Sequence, residues 1–134
     1  MNRKQFLSLL TMGAATAAIS TSLVSCAKTS MAPTNVDFTI DLNSSAYAPL
    51  KTNGGSIYNN GVIVARSKSG TFLAYSQYCT HAGCTVNFDG TSDFICYCHG
   101  SVFDSNGNVL QGPAFSALTK YNTQLTGTML HVYS

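Results

Sequence analysis

The chain has 134 residues, enough for one small domain, and 9% of them are charged against 45% that are hydrophobic. This composition excludes a disordered or acidic solvating segment, because such segments are poor in apolar residues and rich in charge. The net charge of +2 is too small to indicate a nucleic-acid-binding surface, so nucleic acid is not expected as a partner. Five cysteines and three histidines remain as the residue types on which metal or redox chemistry would depend.

The first 25 residues have the layout of an export signal. Arg3 and Lys4 are followed by an uncharged stretch that ends at Lys28, and its Ser, Thr and Gly residues make it a poor permanent membrane span. Without residues 1–25 the chain has five basic and five acidic residues and is formally neutral. Arg3-Lys4-Gln5-Phe6-Leu7 resembles a twin-arginine signal with Lys4 in place of the second arginine, which leaves the export route open.

The export signal ends in Leu23-Val24-Ser25-Cys26, which resembles the lipobox of bacterial lipoproteins. In that family cleavage before the cysteine leaves its thiol to carry lipid. The alternative is an ordinary signal peptide and a free thiol at Cys26. We expect lipidation of Cys26, a linker over residues 26–35, and a domain held at the periplasmic side of a bacterial membrane, inner or outer.

Residues 36–134 are predicted to form one antiparallel all-β domain. Val36, Phe38, Ile40 and Leu42 alternate with polar residues, which is the period of a strand buried on one face. Shorter candidate strands lie at 62–65, 72–75, 118–125 and 129–133, and the segments between them contain turn dipeptides such as Asn60-Gly61 and Asp89-Gly90. No ten-residue stretch after the signal has convincing 3.6-residue periodicity, which favours an all-β domain.

Four cysteines and two histidines lie in two short runs. Residues 79–84 read Cys-Thr-His-Ala-Gly-Cys and residues 96–101 read Cys-Tyr-Cys-His-Gly-Ser. The turn pair Asp89-Gly90 between the runs allows a hairpin to bring them together. Two thiolates and two imidazoles at one point make a metal site, and ligand counting alone does not separate structural zinc from an iron–sulfur centre. A zinc site, however, does not require the two additional cysteines, Cys84 and Cys98, one in each run.

These two runs resemble the cluster-binding loops of the Rieske iron–sulfur proteins. The resemblance implies an antiparallel fold in which a small sandwich or barrel carries an inserted cluster-binding subdomain, here about residues 77–115. It also implies one [2Fe–2S] cluster per chain. Two thiolates would bind one iron and two imidazoles the other, and a disulfide would join the loops. The implied iron ligands are Cys79, Cys96, His81 and His99, and the implied disulfide pairs Cys84 with Cys98.

The resemblance extends to residues around the cluster. Gly83 and Gly100 are expected to let backbone amides approach sulfur, and Ser101 to direct its hydroxyl at a bridging sulfide. Pro113 is expected in a loop that covers the cluster. Phe103 stands where quinol-oxidising relatives usually have a tyrosine that donates to a ligand thiolate. Rieske centres span roughly −150 to +300 mV, and we expect this chain to have a lower potential than those relatives.

The resemblance implies one-electron transfer, with a cytochrome or an oxidase subunit as redox partner. Three alternatives differ in what meets the cluster or in the metal itself. The first is the Rieske subunit of a cytochrome bc-type quinol oxidoreductase, in which His81 or His99 contacts quinol. The second is the small subunit of a periplasmic arsenite-oxidase-like enzyme, and the third is a structural zinc protein. Ala82 weakens the quinol alternative, because relatives that oxidise quinol usually have a larger apolar side chain there.

Overall fold

The computed structural model describes residues 31–134, and these form an antiparallel all-β domain with one short helix. The predicted signal peptide of residues 1–25, Cys26 and the first part of the linker lie outside the described residues. Within the described part, none of the helical segments has the length and hydropathy of a membrane span. In chain order the elements are β1 (Asp37–Asp41), a 3-10 helix (Ser45–Lys51), β2 (Ser56–Asn59), β3 (Val62–Arg66), β4 (Phe72–Ser76), β5 (Asn87–Phe88), β6 (Phe94–Cys96), β7 (Ser101–Phe103), β8 (Val109–Gln111), β9 (Asn122–Thr126) and β10 (Met129–Tyr133).

Two three-stranded sheets form the base of the domain. One has the order β1-β10-β9, and the other has the order β2-β3-β4. The β2–β3 hairpin turns through Asn60 and Gly61, which both have positive φ, 51° and 81°. This pair is the one that a two-residue hairpin turn favours, and it confirms the turn predicted there.

The third sheet, β5-β6-β7-β8, is inserted between β4 and β9. Its strands have two or three residues each, and the cysteine-rich runs precede β5 and connect β6 to β7. The insertion therefore carries both predicted metal-binding loops, as the resemblance implied.

The central strand β3 divides the core into two clusters. Ile63 and Ala65 pack with the inserted sheet, whereas Val62 and Val64 pack with the sheet that contains β1 and β10. Since successive side chains of a strand point to opposite faces, burial on both sides explains why the first four residues of β3, Val62 to Ala65, are all apolar. The inserted sheet thus has a core of its own, in which Cys79 and Cys96 lie.

The longer predicted strands are confirmed, and the last connection is not. Strands β1, β3, β4 and β10 lie where alternation or apolar runs predicted them. The strand predicted over 118–125 is wrong in its first half, because β9 begins at Asn122 and Lys120 makes only an isolated bridge to Tyr75. The 3-10 helix was missed, because a seven-residue helix that is kinked at Tyr47 and contains Pro49 is too short and irregular to show a helical period in the sequence.

A candidate metal centre in two closed loops

The first loop, residues 79–84, is closed by backbone hydrogen bonds. The Cys79 amide donates to the Cys84 carbonyl at 2.7 Å, and the Gly83 amide donates back to the Cys79 carbonyl at 2.8 Å. An antiparallel bridge between Tyr78 and Thr85 brings the two ends together. Gly83 has a φ of 76°, which a residue with a side chain adopts only under strain. Cys79 is therefore fixed at the base of a tight loop.

The second loop connects β6 to β7 and is built in the same way. Cys96 pairs with Ser101 across the hairpin, and the Gly100 amide donates to the Cys96 carbonyl at 2.9 Å. Gly83 and Gly100 were expected to let backbone amides approach sulfur. Their own amides close the two turns on carbonyls. The amides of Cys98 and His99, just before Gly100, donate to the Cys96 thiol.

The four loop cysteines divide into a disulfide and two free thiols. Cys84 and Cys98 form a disulfide with a Cα–Cα distance of 6.5 Å, so the two loops are covalently joined. Cys79 and Cys96 are free and buried. The sulfurs of Cys84, Cys96 and Cys98 all lie within 4.8 Å of one another, but a bonded disulfide leaves only Cys96 among them as a thiolate ligand.

Cys96 and Cys79 are also in direct contact. Burial and a side-chain hydrogen bond with Cys79 raise the pKa of the Cys96 thiol, whereas the amides of Cys98 and His99 act to lower it. Two buried thiols joined by a hydrogen bond in this way can both bind one metal centre once deprotonated.

His81 and His99 lie at the outer ends of the two loops. Both side chains are exposed, and their rings meet edge to face with centroids 4.8 Å apart. The loops therefore place two imidazoles together on the solvent side and two thiols together on the core side. This donor set fits a [2Fe–2S] cluster with mixed ligation, in which one iron is bound by sulfur and the other by nitrogen.

The loop that contains Pro113, residues 112–116, is joined to both cluster loops. The Ser101 hydroxyl oxygen accepts from the Ala114 amide at 3.0 Å, and both residues are buried. The Thr80 hydroxyl donates to the Ser116 carbonyl at 2.6 Å. The oxygen of Ser101 thus supports the loop, and its own proton remains available for donation. Thr80 was missed in the sequence, where a threonine between two ligands gives no signal of such a contact.

Phe103 lies wholly inside the core of the inserted sheet. It pairs with Phe94 across β6 and β7, and both belong to the cluster that contains Cys79 and Cys96. Its ring provides no hydrogen-bond donor to either thiol. A tyrosine at this position would therefore bring a hydroxyl into the buried cluster that contains the two thiols.

Comparison with known proteins is consistent with this geometry. Residues 37–122 match the Rieske [2Fe–2S] domain family. The cytochrome b6-f complex iron–sulfur subunit of Chlorobaculum thiosulfatiphilum is 32% identical over 71 residues, which are 52% of this chain and 39% of that one. The plasma membrane Rieske protein PetC3 of Synechocystis PCC 6803 has 37% identity and a TM-score of 0.55, covering 65% of this chain and 93% of that one.

A more distant structural neighbour supports the fold alone. The ferredoxin of carbazole 1,9a-dioxygenase from Nocardioides aromaticivorans IC177 has a TM-score of 0.56 at 23% identity, covering 75% of this chain and 98% of that one. The matched part spans about two fifths of the length of the first curated relatives, 39% and 41%. The family match covers well over half of this chain. The chain therefore belongs to the Rieske [2Fe–2S] domain family, binds one [2Fe–2S] cluster and transfers electrons through it.

Proposed function

We propose that this chain is an exported, lipid-anchored carrier of single electrons whose cluster is held by Cys79, Cys96, His81 and His99. When bound, the cluster supplies reversible one-electron oxidation and reduction. The observation that carries the proposal is the pairing of two free buried thiols on one side with two exposed imidazoles on the other.

The two sides of the site have different tasks. Cys79 and Cys96 lie in the core, where water is excluded and the thiolates are protected from oxidation and exchange. His81 and His99 lie at the surface, so a redox partner approaches from the histidine side. The Cys84–Cys98 disulfide holds the two loops at a fixed separation while the partner docks.

The ligand assignment is tested by single substitutions in the cluster-loaded chain. We expect Cys79→Ser and Cys96→Ser to remove the visible absorbance and the electron paramagnetic resonance (EPR) signal of the reduced cluster, because serine replaces thiolate poorly. Cys26→Ser is the matched control and keeps both signals. A cluster that persists in Cys79→Ser would contradict the assignment.

Export and anchoring are proposed from the sequence and the disulfide together. Disulfides persist in oxidising compartments, which suits a chain with an export signal. We propose that cleavage before Cys26 leaves a lipid-modified cysteine at the periplasmic side of the membrane. Mass spectrometry of the mature chain tests this directly. An N-terminal acylated Cys26 is expected, and an unmodified thiol there would contradict it.

Quinol oxidation within a cytochrome complex is the second candidate. It is favoured by the exposed histidines and by relatives named as cytochrome b6-f complex subunits. Two residues argue against quinol oxidation. Ala82 stands where quinol-oxidising relatives usually have a larger apolar residue, and Phe103 stands where they usually have a tyrosine. A redox titration between about pH 6 and 9 decides between the two. A high potential that falls as pH rises through neutrality supports quinol chemistry, whereas a lower and flat potential supports a carrier that serves a cytochrome or an oxidase subunit.

A further inference from the structure

The six residues before β1, residues 31–36, are fixed to the domain, and we call them the docked strap. The buried Tyr121 hydroxyl donates to the Pro33 carbonyl at 2.6 Å. The Val36 amide donates to the Ser134 hydroxyl at 3.0 Å, and the Val36 carbonyl accepts from the Ser134 amide at 2.9 Å. The linker predicted over residues 26–35 therefore does not remain free up to β1.

The strap begins beside the first cluster loop. Met31 and Ala32 line a cleft of about 410 Å³ together with Cys79 and His81. The Met31 sulfur lies so near Gly83 that a Cβ on that glycine would collide with it. The described part of the chain thus begins at the end of the domain that carries the candidate cluster ligands.

Little chain separates this point from the proposed anchor. Cys26 precedes Met31 by five residues, which span at most about 17 Å when fully extended. The headgroup region on each side of a bilayer is roughly 5 to 8 Å deep. A lipid on Cys26 would therefore hold the cluster end of the domain close to the headgroups, whatever conformation residues 26–30 adopt.

The surface of this end suits contact with lipid. The two cluster loops and the loop over residues 112–116 contain no Asp, Glu, Lys or Arg. Tyr97 is 72% exposed and Phe115 is 79% exposed. Aromatic side chains are favoured at the membrane interface, and approach to it requires no desolvation of an acidic side chain, a lysine or an arginine in these loops.

We propose that the docked strap holds the cluster end of the domain against the lipid headgroups, so that electrons enter or leave at the membrane surface. The inference depends on the proposed anchor at Cys26. The strap is fixed to the domain, and only residues 26–30 separate it from the proposed anchor. The domain therefore does not move away from the membrane into the aqueous phase. Its redox partner is then bound to the membrane or dissolved in it.

The distance between the cluster and the lipid tests this. The cluster-loaded chain, anchored through Cys26, is placed in vesicles of phosphatidylcholine and phosphatidylglycerol with a dysprosium-chelating lipid. We expect the chelated ion to speed the spin relaxation of the reduced cluster several-fold. A 20-residue Gly/Ser insertion between Lys28 and Thr29 adds about 25 Å of average reach and should abolish most of that effect. The same insertion after Gly127, where the turn has open space, is the control and should preserve it.

The possible outcomes distinguish a failure of the proposed anchor at Cys26 from a failure of the proposed orientation of the cluster end. An unmodified Cys26 in the native membrane overturns the proposed anchor. A maleimide phospholipid coupled to that thiol then still permits the distance measurement. An anchored chain whose cluster relaxes equally with and without the Lys28–Thr29 insertion overturns the orientation.

Hydrogen exchange tests the strap itself. We expect the Val36 amide to exchange far more slowly than in a free peptide. In Tyr121→Phe the Val36 amide should exchange about fivefold faster, because one hydrogen bond that holds the strap in place contributes about 1 kcal/mol. Tyr133→Phe is the control and should leave the strap unchanged. A Val36 amide that exchanges at the free-peptide rate in the unmodified chain would overturn the inference.

Discussion

Thr80 donates its hydroxyl proton to the carbonyl oxygen of Ser116 at 2.6 Å, and this contact joins the first cluster loop to the loop over residues 112–116. The same loop is joined to the second cluster loop through Ser101 and Ala114. Three segments that are distant in sequence are therefore held together around the site by two hydrogen bonds and one disulfide.

Replacing Thr80 by valine removes the hydroxyl and keeps the shape of the side chain. We expect the folded, cluster-loaded chain to lose about 1 kcal/mol of stability. We also expect faster cluster loss, because the loop beside Cys79 gains freedom. Urea unfolding and the decay of visible absorbance measure the two effects. Thr39→Val, on the exposed side of β1, is the control. Equal cluster lifetimes in the two variants would show that the Thr80 contact does not support the site.

Removing the disulfide should weaken both fold and cluster binding. We expect the double variant Cys84→Ser/Cys98→Ser to lose about 3 kcal/mol, because the bridge closes a loop of 14 residues. Both cysteines are replaced since a single substitution would leave a new thiol near Cys96. Cluster lifetime and midpoint potential should both fall. Unchanged values of both, measured by absorbance decay and redox titration, would mean that the disulfide does not hold the loops in place.

A strand of this fold can be predicted from the sequence only where it is long enough to show a pattern of apolar residues. The alternation from Val36 to Leu42 identifies β1, because a strand buried on one face alternates apolar and polar residues. The apolar run of β3 identifies that strand, because it is buried on both faces. Strands β5 to β8 have two or three residues each, too few to show a period. They exist because the tight turns and the core around Phe94 hold them together.

The candidate site was predicted to a similar extent. The two runs of cysteines and histidines predicted a metal site, and their resemblance to the cluster-binding loops of the family implied its ligands. The structure brings the two thiols into contact and the two imidazoles into contact. The spacing did not indicate that Thr80 contacts Ser116 or that residues 31–36 pack beside Gly83. Such contacts join segments far apart in the chain, and a single polar residue in a loop forms no sequence pattern that indicates which residue it contacts.

The hairpin that brings the two runs together depends on Asp89. Its carboxylate accepts from the amides of Thr91, Ser92 and Asp93 at 2.7 to 3.1 Å. Burial acts to raise the pKa of Asp89, but these bonds outweigh it and lower the pKa below its ordinary value of 3.8. The ionised group is thus favoured in the folded state. Its contribution is complete above pH 3.8 and is lost as pH falls through the lower folded value.

We therefore expect Asp89→Asn to be less stable than the unmodified chain at pH 7, by about 1 kcal/mol. The difference should persist to about pH 5 and shrink in more acidic solution, where the native carboxylate becomes protonated. Urea unfolding of both chains at each pH measures it. Asp41→Asn is a control in another turn, where the carboxylate accepts from one amide, and it should change stability less. A difference that is constant down to pH 3 would contradict the role of ionised Asp89.

Phe103→Tyr tests why this centre should have a lower potential than its quinol-oxidising relatives. Phe103 packs in the same buried cluster as Cys79 and Cys96, so a hydroxyl added there enters a region without water. A donor to a ligand thiolate stabilises the reduced, more negative state, and about 1.4 kcal/mol of such preference raises a one-electron potential by about 60 mV. We expect a rise of that order in a redox titration, with some loss of stability from the added volume. Phe88→Tyr, at the edge of the same cluster, should leave the potential unchanged. If the potential of Phe103→Tyr equals that of the unmodified chain, the missing hydroxyl does not set it.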